Sequence, residues 1–346
     1  MACSLHLSVA CLTITLVPLG LGCESDPTSR EPEVSAVPPA RVVDAPPGDG
    51  AGVRLGVSRF QLGWEQWDEN GYDLDGVITR TLLDAHCQAQ PFASSADVLI
   101  DGPGGVDNNF ARVMLPLLSF LACYEVDDCV LERQVNESLG SGSDGLLIEL
   151  RDLGTQSDYG SISASAFGLR TQNADGQWLL APESLAEPSE SSIDDALKAG
   201  LVSFSESYVT KNVWVGRGSD GVIELSWLLG GSSLILRVQQ PLVAVDVSKA
   251  QDGTASGVLA GVLDAQETMT ALHRWLAGVS PGYCDGPIIA GVLAQFAQAA
   301  DVMKNGSHDT ALACDAISFG LGFDASLVEV AAVGEARESL DTCADP

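Results

Sequence analysis

Two acidic segments, 68–76 and 101–109, contain the residue types and spacings best suited to chemistry. Each combines Asp and Asn with flexible Gly, and the second bends around a Gly-Pro-Gly-Gly turn. A hard cation such as Ca²⁺ takes about six to eight oxygen ligands at about 2.3–2.6 Å, which closely spaced Asp and Asn side chains supply. We therefore predict one Ca²⁺ site built from both segments, with these ligands: Asp73, Asp75, Asp101, Asp107 and Asn108.

This candidate calcium site does not follow the EF-hand pattern. The run Asp73-x-Asp75-Gly76 lacks a third early ligand, and no Glu stands at the closing position. Each segment alone is also typical of a polar turn, in which Asp and Asn side chains cap backbone amides. The presence of both segments in one acidic chain makes a shared calcium site as good an interpretation as two unrelated turns.

Nucleophilic catalysis has little support in the sequence. It contains no Gly-x-Ser-x-Gly, Ser-x-x-Lys or His-Glu-x-x-His motif. We interpret His86, His273 and His308 as structural or solvated residues. A glycosidase needs two carboxyl groups about 5–10 Å apart across a cleft, and a sequence cannot show that arrangement. A secreted hydrolase with paired carboxylates therefore stays an alternative, and we predict no catalytic residue.

The charge balance limits the possible partners. The chain has 47 acidic and 17 basic residues, a formal net charge of −30 at pH 7. Such a surface repels phosphate backbones and anionic lipid headgroups, so nucleic acid is not expected as a partner. It attracts divalent cations, although acids that only maintain solubility explain most of the composition.

Residues 1–22 have the features of a signal peptide, because an apolar run broken by Pro18 ends in small residues before Cys23. A spanning helix needs about 20 uninterrupted apolar residues, which this run lacks. Bacterial lipoproteins begin in this way, so we predict that Cys23 carries lipid such as palmitate. Gly20 stands where a lipobox has Leu, and no Lys or Arg precedes Cys23. An ordinary secreted protein cleaved nearby is therefore the alternative.

Residues 23–53 are predicted to form the lipid anchor and a Pro-rich tether. The six prolines of this segment stand among Glu, Asp, Ser and Gly, a composition that cannot build a core. Glu24 differs from the Asp that retains lipoproteins in the inner membrane of enteric bacteria. We therefore expect a cell-envelope protein, lipid-anchored in the outer membrane and either periplasmic or surface-exposed.

The cysteines fit an exported protein. Without Cys3 and Cys11 of the signal peptide and the lipid-bearing Cys23, six of the nine cysteines remain. An even number in an exported chain indicates three disulfides, and no Cys-x-x-Cys pair supports a zinc site. We predict a bridge between Cys284 and Cys314, because they flank one predicted helix and its exit loop. The pairing of the other four stays open: Cys87, Cys123, Cys129 and Cys343.

Residues 54–143 are predicted to be a helical region with acidic loops. Phe110, Met114 and Leu117 recur at spacings of three and four, which gives one apolar helix face.

Residues 144–346 are predicted to form a β-sheet with C-terminal helices that share its core. Alternating segments predict strands, most clearly a hairpin with Gly230-Gly231 at its turn. Two helices are predicted to follow, one near 256–278 and one capped by Asp285. The complete expectation is an α+β fold: an N-terminal helical region, a central antiparallel β-sandwich-like sheet and a C-terminal helical pair.

Three blocks of the sequence resemble blocks in uncharacterised cell-envelope lipoproteins of myxobacteria-type genomes. They are Gly71–Gly76, Asp101–Asn108 and Cys314–Phe323. The resemblance implies a location in the envelope and brings no activity with it.

The sequence therefore predicts an exported, lipid-anchored envelope protein that is non-enzymatic and stabilised by calcium. Its expected partners are the membrane, through the N-terminal lipid, and an envelope protein or a glycan. Besides the secreted hydrolase, a purely structural envelope component is the alternative.

Overall fold

The computed structural model of the chain describes residues 36–91, 96–123, 130–140, 145–172, 177–186, 192–198, 200–218, 220–336 and 343. The predicted signal peptide, Cys23 and the predicted tether as far as residue 35 lie outside the described residues. So does Cys129.

Twelve strands of the described chain join in one sheet. They are β1 (Val53–Gln61), β2 (Gly145–Leu150), β3 (Ala164–Gln172), β4 (Trp178–Leu180), β5 (Val202–Ser203), β6 (Glu206–Thr210), β7 (Val213–Arg217), β8 (Val222–Leu229), β9 (Ser232–Asp246), β10 (Thr254–Asp264), β11 (Ala316–Leu327) and β12 (Val330–Val333). The order is β12-β4-β3-β2-β1-β11-β10-β9-β7-β6, with β5 beside β3 and β8 beside β9. Paired strands are antiparallel except β12 and β4, which are parallel.

Five α-helices occur among the described residues. They are α1 (Leu115–Ala122), α2 (Leu131–Gly140), α3 (Ile193–Lys198), α4 (Ala265–Val279) and α5 (Pro287–Ala297). A π-helical turn, Phe110–Met114, leads into α1. The Asp264 side chain accepts a hydrogen bond from the Glu267 N–H at 3.0 Å and so caps the start of α4. In this part of the chain, no helix has both the length and the apolar character that crossing a bilayer requires.

The predicted three-part fold is wrong, because a single large sheet extends through most of the described chain. Strand β1 lies at the start of the region predicted to be helical and joins β2 to β11 near the middle of the sheet. The C-terminal helices α4 and α5 do form, but they connect the neighbouring strands β10 and β11. The segment predicted as a helix near 256–278 is a strand up to Asp264.

The hairpin predicted from Gly230-Gly231 is confirmed. Strands β8 and β9 pair from Leu229 and Ser232 onward, and the two glycines have φ angles of 60° and 83°. These positive angles are the reason for glycine at both positions of a tight hairpin turn. Strand β9 continues past Pro241 to Asp246, where it also pairs with β7.

The two faces of β11 separate the main core from the acidic segments. Ile317, Phe319 and Leu321 belong to the main hydrophobic core, whereas Ser318 and Gly320 alternate with them and face the opposite side. A Cβ at Gly320 would overlap the Asn70 carbonyl oxygen. The segment 68–76 therefore packs directly on this second face of the sheet.

Candidate metal centre

The sheet and one backbone bridge bring the two acidic segments together. Tyr72 packs against Ala260 on the second face of the sheet, and the Asp107 N–H donates to the Tyr72 carbonyl oxygen at 3.0 Å. Asp101 precedes a short turn, Pro103–Gly105, and Asp107 follows it. The bridge thus places both carboxylates of the second segment beside those of the first.

Local backbone amides orient the four aspartates. Each carboxylate accepts a short hydrogen bond from a main-chain N–H, which fixes its orientation. The pairs are Gly76 to Asp73 Oδ1 at 2.7 Å, Val77 to Asp75 Oδ1 at 2.7 Å, Thr79 to Asp101 Oδ2 at 2.6 Å and Leu74 to Asp107 Oδ2 at 2.8 Å.

Asp73, Asp75 and Asp107 form the core of the candidate site. Each offers a carboxylate oxygen, and the three oxygens lie within 4.8 Å of one another. Oxygens at such distances can bind one metal ion together. Asp101 contacts this triad through a side-chain hydrogen bond with Asp107. The structure therefore brings together all four aspartates predicted from the sequence.

Asn108 holds the first acidic segment on the sheet. Its Nδ2 donates to the carbonyl oxygens of Trp67 at 2.9 Å, Asn70 at 2.9 Å and Gly320 at 3.1 Å. Its Oδ1 accepts from the Ala111 N–H at 3.1 Å. Its Nδ2 is thus fully engaged, whereas Oδ1 keeps one lone pair, and the role of Asn108 as a metal ligand stays a prediction.

A further buried carboxylate, Asp301, lies next to the four aspartates. It precedes β11, and its two oxygens accept hydrogen bonds from Ser318, from the N–H at 2.8 Å and from the hydroxyl at 2.5 Å. Burial, together with the charges of Asp101 and Asp75, raises the pKa of Asp301 to about 7 in spite of these hydrogen bonds.

The electrostatics of the cluster oppose a fully ionised state. Burial, followed by the charges of Asp75, Asp101 and Asp301, raises the pKa of Asp107 well above its ordinary value. Burial is also the main reason for the rise in the pKa of Asp101, to about 6. Crowded carboxylates of this kind need protons or a cation to compensate their charge.

His86 also lies at the cluster, a position that the sequence analysis did not predict. Its Nδ1 lies 2.9 Å from Asp75 Oδ2, and the side chains of His86 and Asp75 are only 6% and 4% exposed. Burial lowers the pKa of His86, but its side-chain hydrogen bond with Asp75 and the charge of Asp75 outweigh this effect and raise the pKa above its ordinary value. No motif places His86 near the acids, because the contact depends on tertiary structure.

The disulfides connect this site to the sheet and correct the predicted pairing. Cys87 is bonded to Cys314 and Cys284 to Cys343, so the predicted Cys284–Cys314 bridge is wrong. Cys123 is also disulfide-bonded, which confirms the prediction of oxidised cysteines for the described ones. Cys87 directly follows His86, and Cys314 lies two residues before the start of β11. Their disulfide therefore ties the backbone next to His86 to the beginning of that strand.

Comparison with known proteins gives no relative: no protein family, no curated protein and no solved structure matches this chain. The residues and their geometry are therefore the basis for a functional conclusion.

Proposed function

We propose that the acidic cluster binds one divalent cation, and that this ion stabilises an exported, non-enzymatic protein of the cell envelope. The observation that supports the proposal most directly is the charge of the buried cluster. Five carboxylates meet there with a single imidazole, that of His86: Asp73, Asp75, Asp101, Asp107 and Asp301. Buried charges are rarely left uncompensated, because removing an isolated ion from water costs several kcal/mol or more.

Protons alone do not neutralise such a cluster near pH 7. With pKa values of about 6 and about 7, Asp101 and Asp301 are both substantially ionised at that pH. A divalent cation supplies two positive charges at once and takes one oxygen each of Asp73, Asp75 and Asp107 as ligands. These oxygens fit Ca²⁺, the ion predicted from the sequence.

The segments that contain the ligands favour a stabilising role for the ion over a catalytic one. The ligands lie on segments with little regular secondary structure, and one shared ion would tie these segments to each other and to the sheet. A glycosidase needs two carboxyl groups facing each other across a cleft. Here the carboxylates converge on one point instead, with their oxygens within 4.8 Å.

The location in the envelope rests on the sequence and on the cysteines. We propose that Cys23 carries the lipid anchor, with the remaining chain exported and bound to an envelope protein or a glycan. The disulfides Cys87–Cys314 and Cys284–Cys343 support export, since stable disulfides form in oxidising compartments.

The test is a cation titration of protein stripped with a chelator. An ion that binds only the folded state stabilises it by about 2.7 kcal/mol at a hundredfold excess over Kd, so the melting temperature should rise by several degrees. Native mass spectrometry should show one bound ion. The double variant Asp73→Asn/Asp107→Asn should lose both responses.

The matched control is Asp252→Asn/Asp285→Asn, which removes the same charge from two exposed positions and should keep both responses. The proposal fails if Ca²⁺, Mg²⁺, Mn²⁺ and Zn²⁺ all leave the melting temperature of the stripped protein unchanged and none is retained in native mass spectra.

A further inference from the structure

A tight turn that follows the first acidic segment presents two leucines at its apex. The Asp84 N–H donates to the Thr81 carbonyl oxygen at 2.9 Å, and the Asp84 carboxylate accepts from the N–H and the hydroxyl of Thr81 at 3.1 and 2.9 Å. Leu82 and Leu83 occupy the two central positions and are 50% and 97% exposed, and Ile78 in the same loop is also exposed. Large apolar side chains grouped in this way on the surface indicate a contact site.

The loop that contains this apex is fixed to the acidic cluster. Thr79 is buried, its N–H donates to Asp101 Oδ2 at 2.6 Å, and its carbonyl oxygen accepts from the Asp101 N–H at 3.0 Å. Leu83 follows Thr79 by four residues, so the apex lies at most about 14 Å from this fixed point. The Cys87–Cys314 bridge holds the other end of the loop. Such a fixed apex loses little conformational entropy when it binds a partner.

The described chain begins at the same acidic cluster. The carbonyl oxygen of Ala36, the first described residue, accepts from the Asp73 N–H at 2.7 Å. Cys23, the proposed site of the lipid, precedes Ala36 by 13 positions. A chain of that length reaches at most about 45 Å. A lipid on Cys23 would therefore keep a bilayer within reach of the cluster and of the apex beside it.

We propose that Leu82 and Leu83 insert into the surface of the bilayer that holds the Cys23 lipid and so dock the folded body on it. This inference goes beyond the cation site and rests on the proposed anchor, because the anchor supplies the nearby lipid surface. Two leucines alone bind a bilayer only weakly, whereas a lipid chain combined with a second apolar contact attaches a protein stably.

The charge of the loop favours a lipid surface over a basic partner protein. The whole chain has a net charge of −30, but the stretch 77–83 contains a single charged residue, and this residue is the exposed Arg80. The carboxylate of Asp84, which follows, is engaged with Thr81. An arginine beside exposed leucines suits the interface of a bilayer, where headgroup phosphates accept its hydrogen bonds and the acyl region takes the apolar side chains.

Photochemical cross-linking in the full-length protein tests what covers the apex. In a bacterium that processes lipoproteins, the photoreactive residue p-benzoylphenylalanine replaces Leu83 or, as the control, Ile288, which is 77% exposed at the start of α5. After irradiation of cells, and of the purified protein in vesicles of phosphatidylethanolamine and phosphatidylcholine, mass spectrometry identifies the adducts. Lipid adducts at position 83 should exceed those at position 288 at least about tenfold.

A serine variant tests whether the apolar apex drives the contact. Leu82→Ser, with the photoreactive residue at position 83, should lower the lipid adduct at least about threefold, whereas Leu228→Ser, at a half-exposed leucine of β8, should leave it unchanged. The melting temperature of Leu82→Ser should equal that of the wild type, because serine is common in turns and the leucine has little contact with the core.

Three outcomes would overturn the docking proposal: adducts at position 83 with a protein or a second copy of the chain instead of lipid, equal lipid adducts at positions 83 and 288, or an unchanged adduct in Leu82→Ser. Lipidated protein that gives no adduct at position 83 overturns the docking and leaves the anchor intact. A lipid adduct at position 83 in protein without lipid on Cys23 supports the docking and refutes the anchor.

Discussion

At the scale of single residues, the acidic segments can be both polar turns and parts of one cation site. Gly76 and Val77 donate to Asp73 and Asp75 within three residues, as expected for polar turns. The same side chains also meet Asp107, since one oxygen of each of the three carboxylates lies within 4.8 Å of the other two.

The raised pKa values predict an unusual pH dependence of the metal-free protein. Asp101 titrates near 6 and Asp301 near 7, and the pKa of Asp107 is also well above its ordinary value. Between about pH 4 and pH 7 the folded state therefore binds more protons than the unfolded state, and its stability falls as the pH rises. The raised pKa of His86 acts in the same direction.

Thermal melts of chelator-treated protein from pH 4.5 to pH 8.0 measure this effect. The melting temperature should decrease across the interval, and a saturating divalent cation should remove most of the decrease at the upper end. A metal-free protein that becomes more stable from pH 5 to pH 7 would contradict the burial of these acids.

The variant Asn108→Asp tests whether the Asn108 side chain has a structural role or is a metal ligand. The substitution replaces an Nδ2 that donates to three carbonyl oxygens by a carboxylate oxygen that repels them. We expect the free energy of unfolding to fall by about 3 kcal/mol or more, measured by urea denaturation. Asn305→Asp is the control, because the exposed Asn305 accepts a hydrogen bond that Asp also accepts. Unchanged stability with tighter cation binding would assign Asn108 as a ligand after all.

At the scale of elements, apolar periodicity misled the sequence analysis where a strand is buried on both faces. In β10, Leu259 and Leu263 lie in the main core, while Ala260 and Val262 pack on the side of the acidic segments. Such a strand has a nearly continuous apolar run, which also fits a helical stripe. The boundary with α4 lies at Asp264, the residue that caps the helix.

Gly320→Ala tests whether the fit between β11 and the first acidic segment matters for ion binding. The new methyl group would overlap the Asn70 carbonyl oxygen, so the segment 68–76 must move away from the sheet. We expect a loss of about 1–3 kcal/mol in the free energy of unfolding and weaker cation binding, although no ligand is changed.

Chemical denaturation and calorimetric ion titration measure the two effects. Gly291→Ala is the control, since nothing lies within 4 Å of a Cβ there in α5, and it should be neutral or stabilise by up to about 1 kcal/mol. Full cation affinity in Gly320→Ala would show that the ligands do not depend on this contact.

At the scale of the whole molecule, the large negative charge and the oxidised cysteines agree with an exported protein. The net charge of −30 keeps such a molecule soluble and repels anionic surfaces. Attachment to a membrane then requires a covalent anchor, which the proposal assigns to Cys23.

Fatty-acid labelling tests the anchor directly. In a bacterium that processes lipoproteins, the chain should incorporate labelled palmitate and fractionate with membranes. Cys23→Ser should abolish both, whereas Cys11→Ser, in the same N-terminal segment, should abolish neither. Incorporation that persists in Cys23→Ser would disprove lipidation at that residue.

The sequence by itself determined the features that depend on near neighbours. The acidic turns, the glycine hairpin after β8 and the Pro287 start of α5 each require contacts within a few residues, so residue types and spacing suffice to predict them. The sequence also indicated which segments contain the aspartates of the candidate metal site.

Only the tertiary structure decided which distant residues meet. The Cys87–Cys314 bridge spans 227 residues, β1 pairs with β11, and the His86 imidazole lies 2.9 Å from the Asp75 carboxylate. Loop-closure entropy varies little with such separations, so spacing along the chain does not identify the partner. The packing of the whole sheet selects it, and this packing places a histidine with no motif beside the acidic cluster.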